Sequence, residues 1–363
     1  MAIVSIIIFM VNRGMTLIDD RPRVVAPCGP VSTVAEELPR RVAVADGHAD
    51  SLMWNRDLTQ ASESGHVDFP RLREGGVKIQ CFTIVTRGLP VIDGFTPFML
   101  KNRWPAEARR SEWTRCTWQV DRLEHFCQAD GRAAITGSKA QLEQNLQENR
   151  ISAVIGIEGG HALEGEVDRV RALHQRGVRF MSLTHLGNNE LGGTSTPMHG
   201  NRPLTALGHE VLDAMAQTGM AVDLAHASAA MIPQLLAHPK ARVFSSHTGV
   251  QGVTPLWRNL PDETLRAIAE KGGVAAIIFA PQYIGGRAFD DVCKHIEHAV
   301  SVMGEDGVAL GSDFDGLVPL PRGMRDVRDL PKLTEAMVRR DLPVRIIEKV
   351  LGENFRRFFG EVL

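Results

Sequence analysis

The chain has 363 residues, 44% of them hydrophobic and 23% charged, which is the composition of a globular protein with a sizeable core. Its formal net charge of −2 gives no electrostatic basis for binding nucleic acid or an anionic membrane surface. The five cysteines include no Cys-x-x-Cys pair, which argues against a disulfide framework and favours a reducing compartment. We therefore expect a cytoplasmic protein, with a periplasmic or exported one as the alternative.

The N-terminal stretch from Ala2 to Val11 is the one membrane-like segment of the sequence. It is too short to span a bilayer, and it lacks the basic region that opens a signal peptide. We expect no membrane span. Met15 is an alternative start, so residues 1–14 are expected to be either untranslated or disordered.

Eight short apolar runs follow from residue 41 onward, and they lie at 41–46, 77–85, 151–157, 178–184, 220–225, 241–246, 274–279 and 307–312. Helical patterns separate or follow them at 105–128, 138–148, 166–176, 205–218, 228–237, 261–271, 290–303, 331–339 and 343–358. Near-continuous apolar strands alternating with helices indicate a parallel sheet covered on both faces. Eight is the number of strands that closes a (β/α)8 barrel.

A doubly wound open sheet would explain the same strands. It is disfavoured because no G-x-G-x-x-G motif follows the first strand and the chain has no P-loop. The sequence also contains no internal repeat and no Pro/Ser-rich linker. We therefore predict one domain, an α/β TIM-like barrel over residues 41–363, preceded by an N-terminal extension over residues 1–40.

Acidic or imidazole side chains come directly after six of the eight apolar runs, and these are His48 with Asp50, Glu158, His185, His226, His247 and Asp313. In a barrel these positions share the C-terminal rim, where the active sites of this fold are built. Imidazole and carboxylate ligands favour borderline divalent ions such as Zn²⁺. Five candidate ligands are too many for one catalytic zinc ion that keeps an open coordination position. They suit two metals that share a carboxylate and a bridging hydroxide.

Seven motifs carry a family resemblance, and they are Asp46-Gly-His48-Ala-Asp50, Gly156-Ile-Glu158-Gly-Gly-His161, Leu183-Thr-His185, Asp223-Leu-Ala-His226, Ser246-His247, Trp257-Arg258-Asn-Leu-Pro-Asp-Glu263 and Gly311-Ser-Asp313-Phe-Asp-Gly316. Together they resemble the membrane (renal-type) dipeptidase family, a binuclear-zinc branch of the amidohydrolase superfamily. The resemblance extends from about residue 40 to residue 359, with the motifs in the right order and spacing.

The resemblance implies two Zn²⁺ ions per chain. His48 and Asp50 would bind one ion, His226 and His247 would bind the other, and Glu158 would bridge them. Glu158 thereby joins the catalytic residues.

The resemblance also implies roles around the substrate. His185 would contact the scissile carbonyl and stabilise the oxyanion. Arg258 would bind the substrate, through its carboxylate. Asp313 would take the proton from the bridging water and pass it to the leaving amine.

The implied activity is zinc-dependent hydrolysis of the amide bond of dipeptides, including those of the L-Xaa-D-Xaa type. Three alternatives stay open: action on N-acyl amino acids or β-lactams, action on lactones or phosphoesters, and a non-catalytic metal-bound binding protein. A homodimer is expected from the resemblance alone.

Some positions depart from the family or stand beside its motifs. The family has Asn where this chain has Ala49, and residues 186–203 match the family poorly, which leaves the substrate side chains open. His161 is expected to be structural rather than a ligand, and Asp315 to be either a partner of Asp313 or a turn residue. Five further histidines are expected at the surface, namely His66, His125, His174, His295 and His298.

Overall fold

A computed structural model of the chain describes residues 30–88 and 95–363. Nine strands occur in these residues, at β1 (Val44–Ala49), β2 (Val77–Val85), β3 (Ala133–Ile135), β4 (Ile151–Glu158), β5 (Val178–Ser182), β6 (Ala221–Asp223), β7 (Val243–Thr248), β8 (Ala275–Ile277) and β9 (Val308–Leu310). All strand pairs are parallel, and eight strands follow one another in the order β1-β2-β4-β5-β6-β7-β8-β9.

The first and last strands meet where the sheet closes on itself. Ala49 forms a parallel bridge with Phe314, just beyond β9. The backbone N–H of Asp50 donates a hydrogen bond of 2.9 Å to the carbonyl of Phe314. The result is a nearly closed barrel of eight parallel strands, and the predicted TIM-like (β/α)8 fold is confirmed.

The helices surround the barrel, and in the described residues they lie at Thr33–Arg41, Phe69–Glu74, Phe95–Lys101, Glu112–Ala129, Lys139–Gln147, Asp168–Gln175, Ala206–Thr218, Ile232–Ala237, Asp262–Glu270, Pro281–Ile284, Phe289–Met303, Leu330–Arg339, Val344–Glu348 and Asn354–Val362, with a π-helical turn at Lys349–Glu353. The helix predicted over 105–128 begins only at Glu112. Ser111 caps it there, because its hydroxyl accepts a hydrogen bond from the backbone N–H of Thr114 and its own N–H bonds the Thr114 hydroxyl.

Side chains from the strands fill the barrel interior, where small residues alternate with large ones. Phe180 of β5 and Phe244 of β7 meet edge to face, with ring centroids 5.1 Å apart. Gly156 of β4 makes room for them, since a Cβ at that position would lie 2.0 Å from the ring of Phe180. Three aromatic residues of the helix Asn354–Val362 close the N-terminal end of the barrel, namely Phe355, Phe358 and Phe359.

The helix Thr33–Arg41 lies mostly within the predicted N-terminal extension. Ser32 caps it and bonds Glu335 of the helix Leu330–Arg339, through its hydroxyl at 2.5 Å and its N–H at 2.9 Å. The prediction for residues 1–14 lies outside the described residues. Among residues 30–88 and 95–363, no helix combines the length and the hydropathy needed to cross a bilayer.

Candidate metal centre

The predicted site residues converge at the C-terminal rim of the barrel. Six strands deliver them: β1 carries His48, β4 ends at Glu158, β7 carries His247, and the segments just after β5, β6 and β9 carry His185, His226 and Asp313. Their exposed fractions run from 0% for His48 to 9% for His185, so the whole group is withdrawn from water. Two of them sit in the left-handed backbone region, with φ of 64° at His226 and 62° at Asp313. Such strained positions cluster at functional sites.

Glu158 is the centre of the group. Its Oε1 lies 3.0 Å from Nε2 of His226, 3.4 Å from Nε2 of His247 and 3.5 Å from Nε2 of His48. Its Oε2 lies 3.4 Å from Nε2 of His185. Burial opposes ionisation of Glu158, but electrostatic attraction to the neighbouring His185 and His48 holds its pKa well below the usual range. Four imidazoles therefore face one ionised carboxylate.

The ring nitrogens that face Glu158 have the chemistry of metal ligands. Nε2 of His226 and Nε2 of His247 lie 3.3 Å apart, and burial followed by the charge of neighbouring cationic groups lowers the pKa of both rings well below the usual range. Nε2 of His48 is buried without a hydrogen-bond partner among the described residues. The neutral imidazole nitrogens of His226 and His247, directed at the Glu158 carboxylate, are a donor set for a divalent cation.

The charge balance of the site also favours a cation. Burial lowers the pKa of His48, yet the charges of Glu158 and Asp50 raise it to about 10. Burial and the neighbouring Glu158 raise the pKa of Asp50, whose Oδ1 accepts a hydrogen bond of 2.5 Å from the hydroxyl of Thr83. A pocket that draws a proton onto a buried imidazole attracts a metal ion by the same electrostatics.

Ligand atoms of three residues come within 4.8 Å of one another in three groups of the described chain. One group is Glu158, His226 and His247, a second is His48, Asp50 and Glu158, and a third is His48, His247 and Asp313. The first two share Glu158, and together they contain all five predicted ligands. The donor set of imidazoles and carboxylates without thiolate fits Zn²⁺ or a similar divalent ion.

Asp313 and Arg258 stand beside the predicted ligands. Burial, together with the charges of Asp50 and Glu158, raises the pKa of Asp313 well above its usual range. Nη2 of Arg258 lies 2.6 Å from Nε2 of His247. That nitrogen has one lone pair, so accepting a hydrogen bond from Arg258 and binding a metal exclude each other.

The aromatic neighbour of Arg258 was missed by sequence reasoning. Tyr283, the single tyrosine of the chain, presents its ring 5.9 Å from the Arg258 guanidinium carbon. It lies in the short helix Pro281–Ile284 beyond β8, a strand whose end carries no acidic or imidazole residue. The absence of that signal is the reason for the omission.

Asp315 is an anchor of the loop that carries Asp313. Its Oδ2 accepts hydrogen bonds of 2.5 Å from both Arg56 and Ser51, and its Oδ1 accepts one of 2.8 Å from the backbone N–H of His66. Burial opposes ionisation, but Arg56 and His66 lower the pKa of Asp315. These hydrogen bonds tie the loop of Asp315 to the segments that carry Ser51, Arg56 and His66.

Two histidines expected at the surface are buried, so those predictions were wrong. His66 is 6% exposed and accepts a hydrogen bond of 2.9 Å on Nδ1 from the backbone N–H of Asp315. His295 is fully buried and accepts one of 2.8 Å from the N–H of Val250. The His66 ring ties its own loop to the loop of Asp315, and the His295 ring ties the loop after β7 to the helix Phe289–Met303. His161 is also buried, and it belongs to none of the three ligand groups.

Comparison with known proteins decides the family. The model of the membrane dipeptidase family, peptidase family M19, matches residues 33–363. The chain belongs to this family. It is also 31% identical over 351 residues to the dipeptidase AclJ of Aspergillus oryzae, an alignment that covers 90% of this chain and 80% of the other. The protein is a metallo-dipeptidase, and the predicted resemblance is confirmed.

Solved structures of similar fold include two bacterial proteins. A metallopeptidase from Rhodobacter sphaeroides, bound to a phosphinate mimic of the dipeptide L-Ala-D-Ala, superposes with a TM-score of 0.78 at 24% identity, covering 89% of this chain and 99% of that one. The probable dipeptidase PvdM from Pseudomonas aeruginosa has a TM-score of 0.77 at 18% identity, covering 90% and 97%. At these identities the two structures support the fold of the membrane dipeptidase family.

Proposed function

We propose that this dipeptidase hydrolyses the amide bond of dipeptides with two Zn²⁺ ions held at the barrel rim. His48 and Asp50 would hold one ion, His226 and His247 would hold the other, and Glu158 would be shared by both sites. The observation that carries the proposal is the pair of ligand groups that share Glu158. Divalent ions in such a pair supply Lewis acidity and lower the pKa of water, which provides a nucleophile at neutral pH.

Asp313 is the proton carrier in this proposal. Burial raises the pKa of Asp313, which makes its carboxylate a stronger base toward the attacking water. Asp313 accepts the proton of the attacking water on a carboxylate oxygen and then donates it to the nitrogen of the leaving amine. The proton that enters from water therefore leaves with the product.

His185 and Arg258 act on the substrate. His185 faces Oε2 of Glu158, whereas His247 faces Oε1, and His185 is the most exposed of the four imidazoles. It donates a hydrogen bond to the carbonyl oxygen as negative charge develops there. Arg258 binds the C-terminal carboxylate of the dipeptide, a pairing for which the planar guanidinium is suited.

The substrate class that we propose includes dipeptides with a C-terminal D-residue. The Rhodobacter sphaeroides protein holds a mimic of L-Ala-D-Ala, which motivates the proposal for this chain. The protein loaded with zinc should be assayed on matched libraries of L-Xaa-L-Xaa and L-Xaa-D-Xaa dipeptides, with zinc per chain measured on the same sample. Fewer than one zinc per chain together with no turnover on either library would contradict the proposal.

A substitution separates dipeptides from substrates that lack a carboxylate. Arg258→Met should abolish dipeptide turnover while leaving hydrolysis of a simple ester or lactone intact. Arg258→Lys keeps the positive charge and should retain part of the dipeptide activity. Equal loss of both activities in Arg258→Met would show that Arg258 supports the metal centre rather than the substrate carboxylate.

A further inference from the structure

Ser246 touches predicted ligands of both metal ions. It is fully buried in β7, directly before His247. Its Oγ lies 2.9 Å from Nδ1 of His247 and 3.1 Å from Nδ1 of His48. It also lies 2.5 Å from Oδ2 of Asp223, at the end of β6. One hydroxyl therefore connects a ring assigned to the first ion with a ring assigned to the second.

The donors and acceptors around Ser246 fit one arrangement. Oδ1 of Asp223 already accepts hydrogen bonds of 2.9 Å from the backbone N–H groups of Ala225 and Ser246. An ionised carboxylate only accepts, so the single hydroxyl proton of Ser246 goes to Oδ2 of Asp223. The two lone pairs of Oγ then accept the Nδ1–H groups of His48 and His247. With metal bound, both rings would carry their single proton on Nδ1, which leaves both Nε2 lone pairs for the ions.

We propose that Ser246, held by Asp223, is a positioning residue common to the two metal sites: it sets the tautomer and the orientation of His48 and His247 together. The proposal rests on the ligand assignment made under the proposed function. The ring centroids of His48 and His247 lie 3.8 Å apart, and both rings contact the same hydroxyl. A rotation of one ring would therefore also change the contacts of the other. Loss of this hydroxyl should weaken both ions at once.

Thr83 provides the contrast, because its hydroxyl donates only to Asp50, a ligand assigned to a single ion. Partners of metal ligands that are not ligands themselves typically change metal affinity by about 10–100-fold when they are replaced. Ser246→Ala should therefore lower the affinity for both zinc ions by about 10–100-fold. Thr83→Val should lower the affinity for one ion only.

The test is a zinc titration of the full-length chain against a chelator of known affinity, which resolves the two binding steps without an activity assay. Ser246→Thr retains a hydroxyl, so its affinity for each zinc ion should stay within about tenfold of the wild-type affinity. This loss is smaller than the loss expected for Ser246→Ala. The matched control is Ser245→Ala, since Ser245 is the preceding residue of the same strand and its buried hydroxyl has no hydrogen-bond partner among the described residues. This control should bind zinc like the wild type.

The outcomes separate the two proposals. A wild type that binds two zinc ions, with only one of them weakened or neither weakened in Ser246→Ala, overturns the shared role of Ser246 and leaves the proposed function standing. An equal effect of Ser245→Ala also overturns it. A wild type that binds fewer than two ions overturns the assignment of ligands to two ions, and with it the shared role of Ser246, while dipeptide turnover tests the hydrolytic activity separately.

A second measurement does not depend on a variant that folds. In the zinc-loaded wild type with ¹⁵N-labelled histidine, long-range ¹H–¹⁵N spectra report which ring nitrogen carries the proton. We expect Nδ1–H in both His48 and His247. A proton on Nε2 of either ring, or an unprotonated Nδ1, contradicts the assigned role of Ser246.

Discussion

Replacing Asp313 by asparagine removes the proposed proton carrier and leaves a side chain of nearly the same size. General acid–base groups contribute about 10²–10⁴ in rate, so kcat should fall by about that factor. This corresponds to roughly 2.7–5.4 kcal/mol of transition-state stabilisation at about 1.36 kcal/mol per tenfold change. Because burial raises the pKa of Asp313, ionising it costs free energy in the folded state. The free energy of unfolding should therefore not decrease in Asp313→Asn.

Asp315→Asn is the matched control, two residues further along the same loop. Asp315 pairs with Arg56, and their side chains are 2% and 10% exposed. Breaking a buried ion pair by neutralising one partner typically costs about 3–5 kcal/mol of stability. The control should lose stability by about this amount through Arg56, whereas Asp313→Asn should lose activity.

The assay combines kcat at a saturating dipeptide concentration with the free energy of unfolding from urea titration, for both variants and the wild type. Zinc per chain must be equal in the wild type and in Asp313→Asn for the rates to be compared. A decrease of kcat smaller than tenfold in Asp313→Asn would refute its role as proton carrier. Destabilisation of Asp313→Asn as large as that of Asp315→Asn would refute the separation of the two roles.

Three further changes test other parts of the molecule. Glu158→Gln should lower zinc to fewer than two ions per chain, measured by elemental analysis, because the group that both ligand sets share loses its charge. Gly156→Ala should cost about 1–3 kcal/mol in urea unfolding, since the new methyl group meets Phe180, while Gly131→Ala, which has open space around it, should be neutral. Because the pKa of Asp315 is lowered in the folded state, its ionised form stabilises the fold above the ordinary carboxyl pKa of about 4. This stabilisation is lost as the pH falls. The free energy of unfolding of Asp315→Asn should therefore change less between pH 6 and pH 3 than that of the wild type.

The barrel could be predicted because its strands are buried on both faces. Strands of this kind are apolar along their whole length, so each run stands out against the helices around it. The site could be predicted because a barrel places the residues that follow its strands on one rim. His48 and Asp313 are far apart in sequence, yet both follow such runs and both belong to one ligand group in the structure.

The parts that escaped prediction depend on contacts that leave no local pattern. Strand β3 has only the three residues Ala133–Ile135, which is too short a run to be recognised as a strand from the sequence. It is stabilised by its pairing with the first residues of β4. His66 and His295 are buried, and each accepts a hydrogen bond from a backbone N–H group that is distant in sequence, a contact that leaves no local sequence pattern. Polar residues inside apolar strands were the available signal for Ser246 and Asp223. Such a residue must find a partner within the barrel.

The aromatic residues at the N-terminal end of the barrel have a consequence for the order in which the molecule can be made. Phe355, Phe358 and Phe359 belong to a helix that follows every strand in the chain, and they cover Phe180 and Phe244 from below. During synthesis, a barrel that already has all of its strands but lacks this helix is uncovered at its N-terminal end, and the rings of Phe180 and Phe244 are accessible to water. The core is therefore completed only after residues 354–362 have been synthesised and have folded onto the barrel. A nascent chain halted before residue 354 should be held by chaperones or degraded rather than bind zinc.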